Sequence, residues 1–593
     1  MDLKAYYSSH AESLALEIAQ LKRKGNTLVI AQIAFFVLFV AFIVLYTVVS
    51  WGWPLLVGSA LSLLAYALVR RIDGRNSDLL QRKTDLQQVF LHEQASLDGD
   101  FTAFDDGRRY VDARHEYTFD LDVFGPESLF QRMNRTVTSG GSDRLARQLS
   151  QLEYDEKGAE AIAELAVKDA WRAEFIALGQ QRRLDTNEVM RVVSLMRETR
   201  IPSFAQSNGV RILAFLAIVG CLCAFGAASF GMASWNLPIW WVILQFGLVF
   251  LFTSGTLKRV GSVVDRLHEQ MGTYIKVVRH IVDESFATSL NTADSKMLRE
   301  AIDSFAQLEQ ILGGLDRRGN ILGLFFADGL VWSDFFLLRR FALWQRDYAD
   351  EMGEWMDTVS RMDARISMAT FSYNHPEACP AEVLDDTKEL VYEAQGLFHP
   401  FLGAKAVRND FCIVDHHYYI ITGANMAGKS TFLRAVGINY ILAMNGIPVF
   451  ADGYRVSVFH LFSSMRTTDD LAHGISYFNA ELLRLQQLLQ YCRDCHPTLI
   501  ILDEILKGTN SLDKLNGSRM FLEAISHLDV TGIIATHDLE LSKMQSDRFH
   551  NYCFEIELGA HVTYSYKITS GVARNQNATY LLRRILEGRV CQN

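Results

Sequence analysis

Hydrophobic positions fall into two regimes along this chain. The first two-thirds is polar and helix-periodic, interrupted by four apolar runs; the last third alternates short apolar runs with helical patterns. Residues 1–26 read as a short amphipathic helix ending in Lys22-Arg23-Lys24. The first run, Thr27–Trp51, is long enough to cross a hydrocarbon layer of about 30 Å at about 1.5 Å per residue. The second spans Leu55–Val69, after Gly52-Trp53-Pro54, and stops at Arg70-Arg71. The third covers Ile212 to about Ala233, and the fourth covers Leu237–Leu257 and stops at Lys258-Arg259. A signal peptide is the competing reading of the first run, but the run is too long and no small-residue cleavage site closes it. Four buried helices of a soluble core compete more generally. Charge at one end of each run and Trp51, Trp53, Trp235, Trp240 and Trp241 near the other favour membrane spans in contact with lipid.

The flanking charges set an orientation. Lys22–Lys24, Arg70-Arg71 with Arg75, Arg200 with Arg211, and Lys258-Arg259 share one side if the runs form two hairpins. That side is expected to be cytoplasmic, because the connections Gly52–Pro54 and Ser234–Pro238 carry no Lys or Arg. The expected location is an integral membrane protein of a bacterial inner membrane, with its C-terminal domain in the cytoplasm.

Between the hairpins, residues 76–209 are mostly helical by periodicity. Within them Gly125-Pro126 reads as a turn, Glu127 onward as a helix, and Thr138–Asp143 as a loop and N-cap. After the fourth run come long helical patterns over Val264–Ser289, Lys296–Leu312 and Ile321–Ser360, then a breaker-rich linker, Tyr373–Glu382. The predicted organisation is an N-terminal helix (1–26), hairpin 1 (27–75), a helical region (76–209), hairpin 2 (210–259), a second helical region (260–384) and an α/β domain (385–593). Composition agrees: 49% apolar residues beside 21% charged ones suit membrane segments joined to soluble domains. A formal net charge of −10 gives no global basic excess for nucleic acid. Eight scattered cysteines make no disulfide framework. Cys492-Arg493-Asp494-Cys495-His496 has the spacing of a c-type haem attachment, but it follows an amphipathic helix (Ala480–Tyr491) and reads as a surface turn.

The chemistry gathers in the last third. Tyr418–Thr422 reads as a buried strand, followed by Gly423, Ala424, Asn425, Met426, Ala427, Gly428, Lys429, Ser430 and Thr431, then a helical pattern. Strand, glycine-bounded loop and helix is the setting of a phosphate-binding P-loop, whose inward N–H groups cradle phosphate oxygens. Lys429 would reach the terminal phosphates, and Ser430 would ligate Mg²⁺. Thr498–Leu502 is a second strand ending in Asp503-Glu504. Asp503 would help hold Mg²⁺ and Glu504 would polarise the attacking water. A third strand, Gly532–Thr536, ends in His537, placed to contact the γ-phosphate or the water. Ser476, before the helix that contains Glu481, could offer a hydroxyl to phosphate.

Together these residues resemble the MutS family of DNA mismatch-repair ATPases. Thr422–Arg434 (TGANMAGKSTFLR) is close to the family's P-loop, with Asn425-Met426 its specific mark. Asp469–Leu482 (DDLAHGISYFNAEL), Asp503–Lys514 (DEILKGTNSLDK), Ala535–Leu541, Gly571-Val572-Ala573, His399-Pro400 and Asn409-Asp410 match further family motifs. Ser128–Leu149 resembles, more weakly, the start of the family's helical core, with the helices flanking the second hairpin as lever arms. The resemblance implies an ABC-like α/β P-loop NTPase domain that binds and hydrolyses ATP with Mg²⁺. It implies a homodimer through that domain, the Ile475-Ser476 loop completing the partner's site, and coupling to DNA.

The departures are specific. Ala424 and Ala427 replace Pro and Gly; Leu506-Lys507 replace Gly-Arg; Lys514 replaces Gly. No counterpart of the family's mismatch-reading and connector domains is expected, nor of its C-terminal dimerisation helices, and the second hairpin stands about where the DNA clamp would be inserted. Two other classes fit parts of the chain. One is an ABC-type transporter, opposed by the missing LSGGQ-type signature and by four spans without interior charge. The other is a membrane ATPase switch with no DNA substrate.

Overall fold

The computed structural model describes residues 2–48, 52–180, 184–264, 267–316, 318, 321–384, 387–466, 477–544, 547–558 and 562–574. The chain divides into two compact units that do not follow sequence order: Met1–Asp100, Thr136–Ser142 and Lys168–Ala364 form one, and Phe101–Arg135, Asp143–Val167 and Arg365–Asn593 the other.

The first unit opens with helices α1 (Leu3–Val48) and α2 (Gly52–Leu97), each of 46 residues and so about 69 Å long. Residues 1–26 are therefore not a separate helix. Gly25 is no breaker: a Cβ there would lie 3.3 Å from Nδ2 of Asn76, whose amide donates to the Leu21 carbonyl at 3.1 Å. In the polar halves Tyr7, Ala11, Leu14 and Ile18 are buried at alternating spacings of four and three, a coiled-coil seam. In the apolar half of α2 the buried positions include Ser59 and Ser62, and a Cβ on Gly58 would lie 3.2 Å from the Phe42 ring; small residues let the two helices approach.

Helices α3 (Leu129–Met133), α4 (Ser139–Ser150) and α5 (Glu156–Ala166) follow. The helix expected from Glu127 begins two residues later, because Ser128 is its cap and accepts from the Gln131 N–H. The loop expected over Thr138–Asp143 is mostly helix. The buried Asp363 carboxylate accepts from the Val137 and Thr138 N–H groups and from the Thr138 hydroxyl, which itself caps α4 by accepting from the Gly141 N–H at 2.8 Å, and a Cβ on Gly141 would sit 2.2 Å from the carboxylate.

Next come α6 (Asp169–Gln180), α7 (Thr186–Glu198), α8 (Asn208–Ser229), α9 (Asn236–Val264), α10 (Leu267–Val282), α11 (Ser289–Asp316), α12 (Ile321–Val331), α13 (Ser333–Tyr348) and α14 (Met352–Asn374). The single helix expected over Ile321–Ser360 is three. It breaks at Trp332, in the left-handed region at φ 56°, and again at Ala349–Glu351. Among the described residues, four helices are long and apolar enough to cross a membrane: α1, α2, α8 and α9. α2 and α9 contain the second and fourth apolar runs whole, and α1 and α8 contain most of the first and third.

The second unit carries two sheets. Strands β1 (Glu382–Leu384), β2 (Tyr392–Leu397) and β3 (Asn409–Ile413) precede β4 (Tyr418–Gly423), and β5 (Gly453–Ser457) and β6 (His460–Ser464) follow helix α15 (Lys429–Met444). Helix α16 (Tyr477–Asp494), β7 (Thr498–Asp503), α17 (Ser511–Ile525), β8 (Val530–Thr536), β9 (Phe549–Leu558) and β10 (Val562–Ser570) complete it. The smaller sheet has the order β1-β5-β2-β3 and mixed direction. The larger runs β10-β9-β4-β8-β7-β6, parallel from β9 to β6, with β10 antiparallel at its edge. All residues of β4 and β8, and all but the last of β7, are buried, which is why they read as unbroken apolar runs.

Residues 101–135 belong to this same unit. Leu121 is fully buried, its side chain against Gly437 of α15. The haem-like spacing lies at the end of α16, where Cys492 is core and burial pushes its thiol up to about 12, while His496 bonds the Arg493 and Asp529 carbonyls.

Candidate functional site

Three parallel strands end side by side. In register, Thr422 of β4 faces Thr536 of β8, and Ala535 of β8 faces Asp503 of β7. The carboxyl ends of such a sheet are where α/β domains place their ligand crevice. Here they open on a cleft of about 700 Å³.

The loop between β4 and α15 turns on two left-handed residues, Met426 at φ 65° and Gly428 at φ 106°. Ala427 is buried and is not among the positive-φ residues, so the alanine that departs from the family pattern meets no backbone strain. Gly428 caps α15, and a Cβ there would come within 3.1 Å of the Tyr566 ring. The N–H groups of the first turn of α15 are thereby left facing the cleft.

Lys429 opens α15 and folds back under the loop. Its Nζ donates to the carbonyls of Gly423 at 2.8 Å and Ala424 at 2.9 Å. Burial lowers its pKa to about 8, against the pull of Asp503 and Glu504 in the other direction. The Ser430 hydroxyl donates to Asp503 Oδ2 at 2.6 Å. A hydroxyl and a carboxylate held together are the oxygen donors that Mg²⁺ takes from protein.

Glu504 sits one residue beyond β7 at φ 59°, with its N–H fixed on the Ala535 carbonyl at 2.9 Å. Its carboxylate lies between His537 Nε2 and Lys514 Nζ, both 3.5 Å away. His537 is held below the ordinary imidazole range by burial first and by the Lys429 charge second. Asn425, Met426, Ala427, Gly428, Lys429, Ser430, Thr431, Asp503, Glu504 and His537 thus line one cleft, while Gly423 and Ala424 turn their carbonyls to Lys429. Ser476 and Ile475 lie outside the described residues.

Further residues support the cleft: Lys507, Glu481, Asn409, Ala573 and His399 fall within motifs already noted in the sequence, and Asp120 does not. Lys507 lines the cleft, and the buried Glu481 accepts from the N–H groups of Lys507 at 2.9 Å and Gly508 at 3.0 Å. Asn409 bridges to β10, donating to the Tyr566 carbonyl at 3.1 Å and accepting from the Ile568 N–H at 2.9 Å. The Ala573 N–H donates to the Thr422 hydroxyl at 2.9 Å, which ties the Gly571–Ala573 segment to β4. Partial burial lowers the pKa of His399 to about 4, with the Arg434 and Arg132 charges acting in the same direction.

Asp120 is the most consequential of these. Its buried carboxylate accepts from the Met465 and Arg466 N–H groups at 3.1 and 2.7 Å and from the Ser463 hydroxyl at 3.0 Å, with the Arg484 guanidinium 3.5 Å away. Arg466 also pairs with Asp122. Asp120→Ala strands these donors and the Arg484 charge. The expected cost is about 3–5 kcal/mol, with loss of amide-exchange protection at Met465 and Arg466. Asp120→Asn, which keeps an acceptor oxygen, should lose less; equal protection in wild type and Asp120→Ala would remove this role.

Residues 419–582 match the family model MutS domain V. Among curated relatives, the "DNA mismatch repair protein MutS" of Haloquadratum walsbyi is 30% identical over 230 residues, 37% of this chain and 24% of that protein. The protein of the same name from Staphylococcus saprophyticus is 31% identical over 205 residues, 33% of this chain and 22% of that one. That of Granulibacter bethesdensis is 29% identical over 299 residues, 49% and 31% respectively. The matched stretch thus spans about a quarter of the length of the first two of these curated relatives.

Proposed function

We propose that this chain, which belongs to the MutS family through its domain V, is a membrane-anchored ATPase of P-loop type that pairs with a second copy and couples its cycle to DNA. The observation that carries the reading is the meeting of Lys429, the Ser430–Asp503 pair and the Glu504–His537 pair at the ends of three adjacent strands. The two positive-φ residues and the N-terminus of α15 suit a phosphate cradle, and Lys429 would neutralise the terminal phosphates. Ser430 and Asp503 would hold Mg²⁺, which when bound screens phosphate charge. Glu504 would orient the attacking water and accept its proton, with His537 and Lys514 fixing its rotamer. The loop containing Ser476 would complete the partner's site. α1, α2, α8 and α9 would hold the chain in the inner membrane, with the nucleotide site in the cytoplasm.

Lys429 gives this reading a pH dependence. Below about pH 8 it is charged before nucleotide arrives. Above that value binding must first restore its proton, so affinity should fall by up to tenfold per pH unit. Calorimetry at pH 9 in two buffers of different ionisation enthalpy should show about one proton taken up on ATP binding, and at pH 6.5 almost none. Identical proton uptake at both pH values would separate Lys429 from the phosphates.

DNA enters through the relatives, which are named for mismatch repair. The competing reading is a membrane ATPase switch without DNA; it is favoured by how little of those relatives the match spans and by a first unit containing four long apolar helices. Duplex, mismatched and branched DNA should be titrated against the detergent-purified full chain, with and without ATP, over a salt series. A DNA-coupled protein should bind with an affinity that falls steeply with salt. No binding at low salt would leave the switch.

A further inference from the structure

The geometry points to a fifth membrane-embedded element: α12 enters the hydrocarbon layer beside α9 as a short re-entrant helix with acyl chains on its open face. This rests on the reading that α8 and α9 cross the membrane. The sequence of α12, ILGLFFADGLV, has one charged residue in eleven. At about 16 Å it is too short to span, and apolar helices of this length are either core helices or re-entrant ones.

Its neighbours set its depth. The Phe325 ring lies 5.0 Å from that of Phe246, and Phe246 is about 15 Å along α9 from Asn236. Gly329 is nearer still to the outer end: a Cβ there would lie 2.6 Å from the Val242 side chain and 3.1 Å from its carbonyl. Two helix backbones meet there because glycine has no side chain, the packing used between helices in lipid. α12 therefore runs beside the middle and outer part of a candidate span, not beside its cytoplasmic end.

It is not a core helix. Phe326 is 58% exposed and Val331 52%, continuing the open apolar surface that α9 presents at Leu244 and Leu251. The chain then turns at Trp332 and comes back. Phe335 packs with Ala214 and Val249, and four residues later the Arg339 guanidinium bonds the Asn208 side chain, where α8 begins. The polar groups of the turn are kept off the lipid. Asp328 and Asp334 are fully buried, the Asp334 N–H donates to Asp328 at 2.8 Å, and Arg318 chelates the Asp334 carboxylate at 2.9–3.0 Å. Non-helical backbone at membrane depth is tolerated where protein encloses it in this way.

The test uses the full chain in lipid nanodiscs, whose two faces are both open to reagents. The lipid is phosphatidylethanolamine and phosphatidylglycerol with a diazirine in the acyl chain. After illumination, adducts mapped by peptide mass spectrometry should appear on Phe326 or Val331 in yield comparable to Leu251 of α9. Independently, Val331→Cys should react with a charged maleimide at least about tenfold more slowly than Leu16→Cys on the polar half of α1, because the thiolate does not form in hydrocarbon. Adducts on Leu251 without any on α12, or equal maleimide rates, would overturn the inference and leave the anchoring reading standing. Absence of adducts on Leu251 as well would overturn both.

Discussion

Glu504→Gln should leave nucleotide affinity within about twofold and lower ATP turnover by about 10²- to 10³-fold. The substitution keeps size and shape, so what it removes is the charge and basicity of one carboxylate. That carboxylate is placed by constraints the amide does not disturb: its backbone is anchored to Ala535, and the residue holds a left-handed φ of 59° that the strand end enforces. A left-handed φ in a non-glycine residue at a strand end is the kind of strain found where a side chain must be aimed. Lys514 and His537, both 3.5 Å from it, each meet a different oxygen of the carboxylate. Because Lys514 stands where the family has glycine, Lys514→Gly gives an informative comparison: turnover should fall modestly, with Glu504 kept but less fixed. The measurement is steady-state phosphate release beside equilibrium binding of the same nucleotide. Near-normal turnover in Glu504→Gln would end its role as base.

The sequence was most legible where burial is symmetric. β4, β7 and β8 are covered on both faces, so their residues are apolar without alternation and the acidic pair and histidine stand out at their ends. The four apolar helices were legible for a similar reason, since lipid-scale runs need no tertiary partner to be recognised. What failed to show was set by partners far along the chain. Nothing near Asp120 announces that it accepts hydrogen bonds from Met465 and Arg466, some 345 residues away. Ser128–Leu149 resembles the start of one helical core, yet its middle, Thr136–Ser142, belongs to the first unit, where Asp363 holds Val137 and Thr138. The break at Trp332 carries neither glycine nor proline; across it the Asp334 N–H turns to the Asp328 carboxylate at 2.8 Å. Gly25 and Gly141 each lie inside a helix, at a point of close approach that only the distant partner reveals.

Lys429→Ala should weaken ATP binding by at least about 100-fold, the equivalent of two charge-assisted hydrogen bonds at roughly 1.5 kcal/mol each. The estimate is a floor, because the lysine balances more than the nucleotide. Asp503 and Glu504 both act on it electrostatically, and without it the phosphates would meet the same two carboxylates with one cation fewer. The loop also loses support, since the Gly423 and Ala424 carbonyls share the lysine as donor. That second effect has its own signature and can be separated from the first. Lys429→Met keeps most of the aliphatic stem and fills the same space, so it should preserve packing beneath the loop while losing the charge. If loss of binding comes from the missing cation, Lys429→Ala and Lys429→Met should bind equally poorly, with amide protection in β4 and α15 retained in the methionine variant. If it comes from collapse of the loop, methionine should restore much of the affinity. Unchanged affinity in both would remove the phosphate-binding assignment of residues 423–431, and with it the argument that Ser430, Asp503 and Glu504 are gathered around a nucleotide.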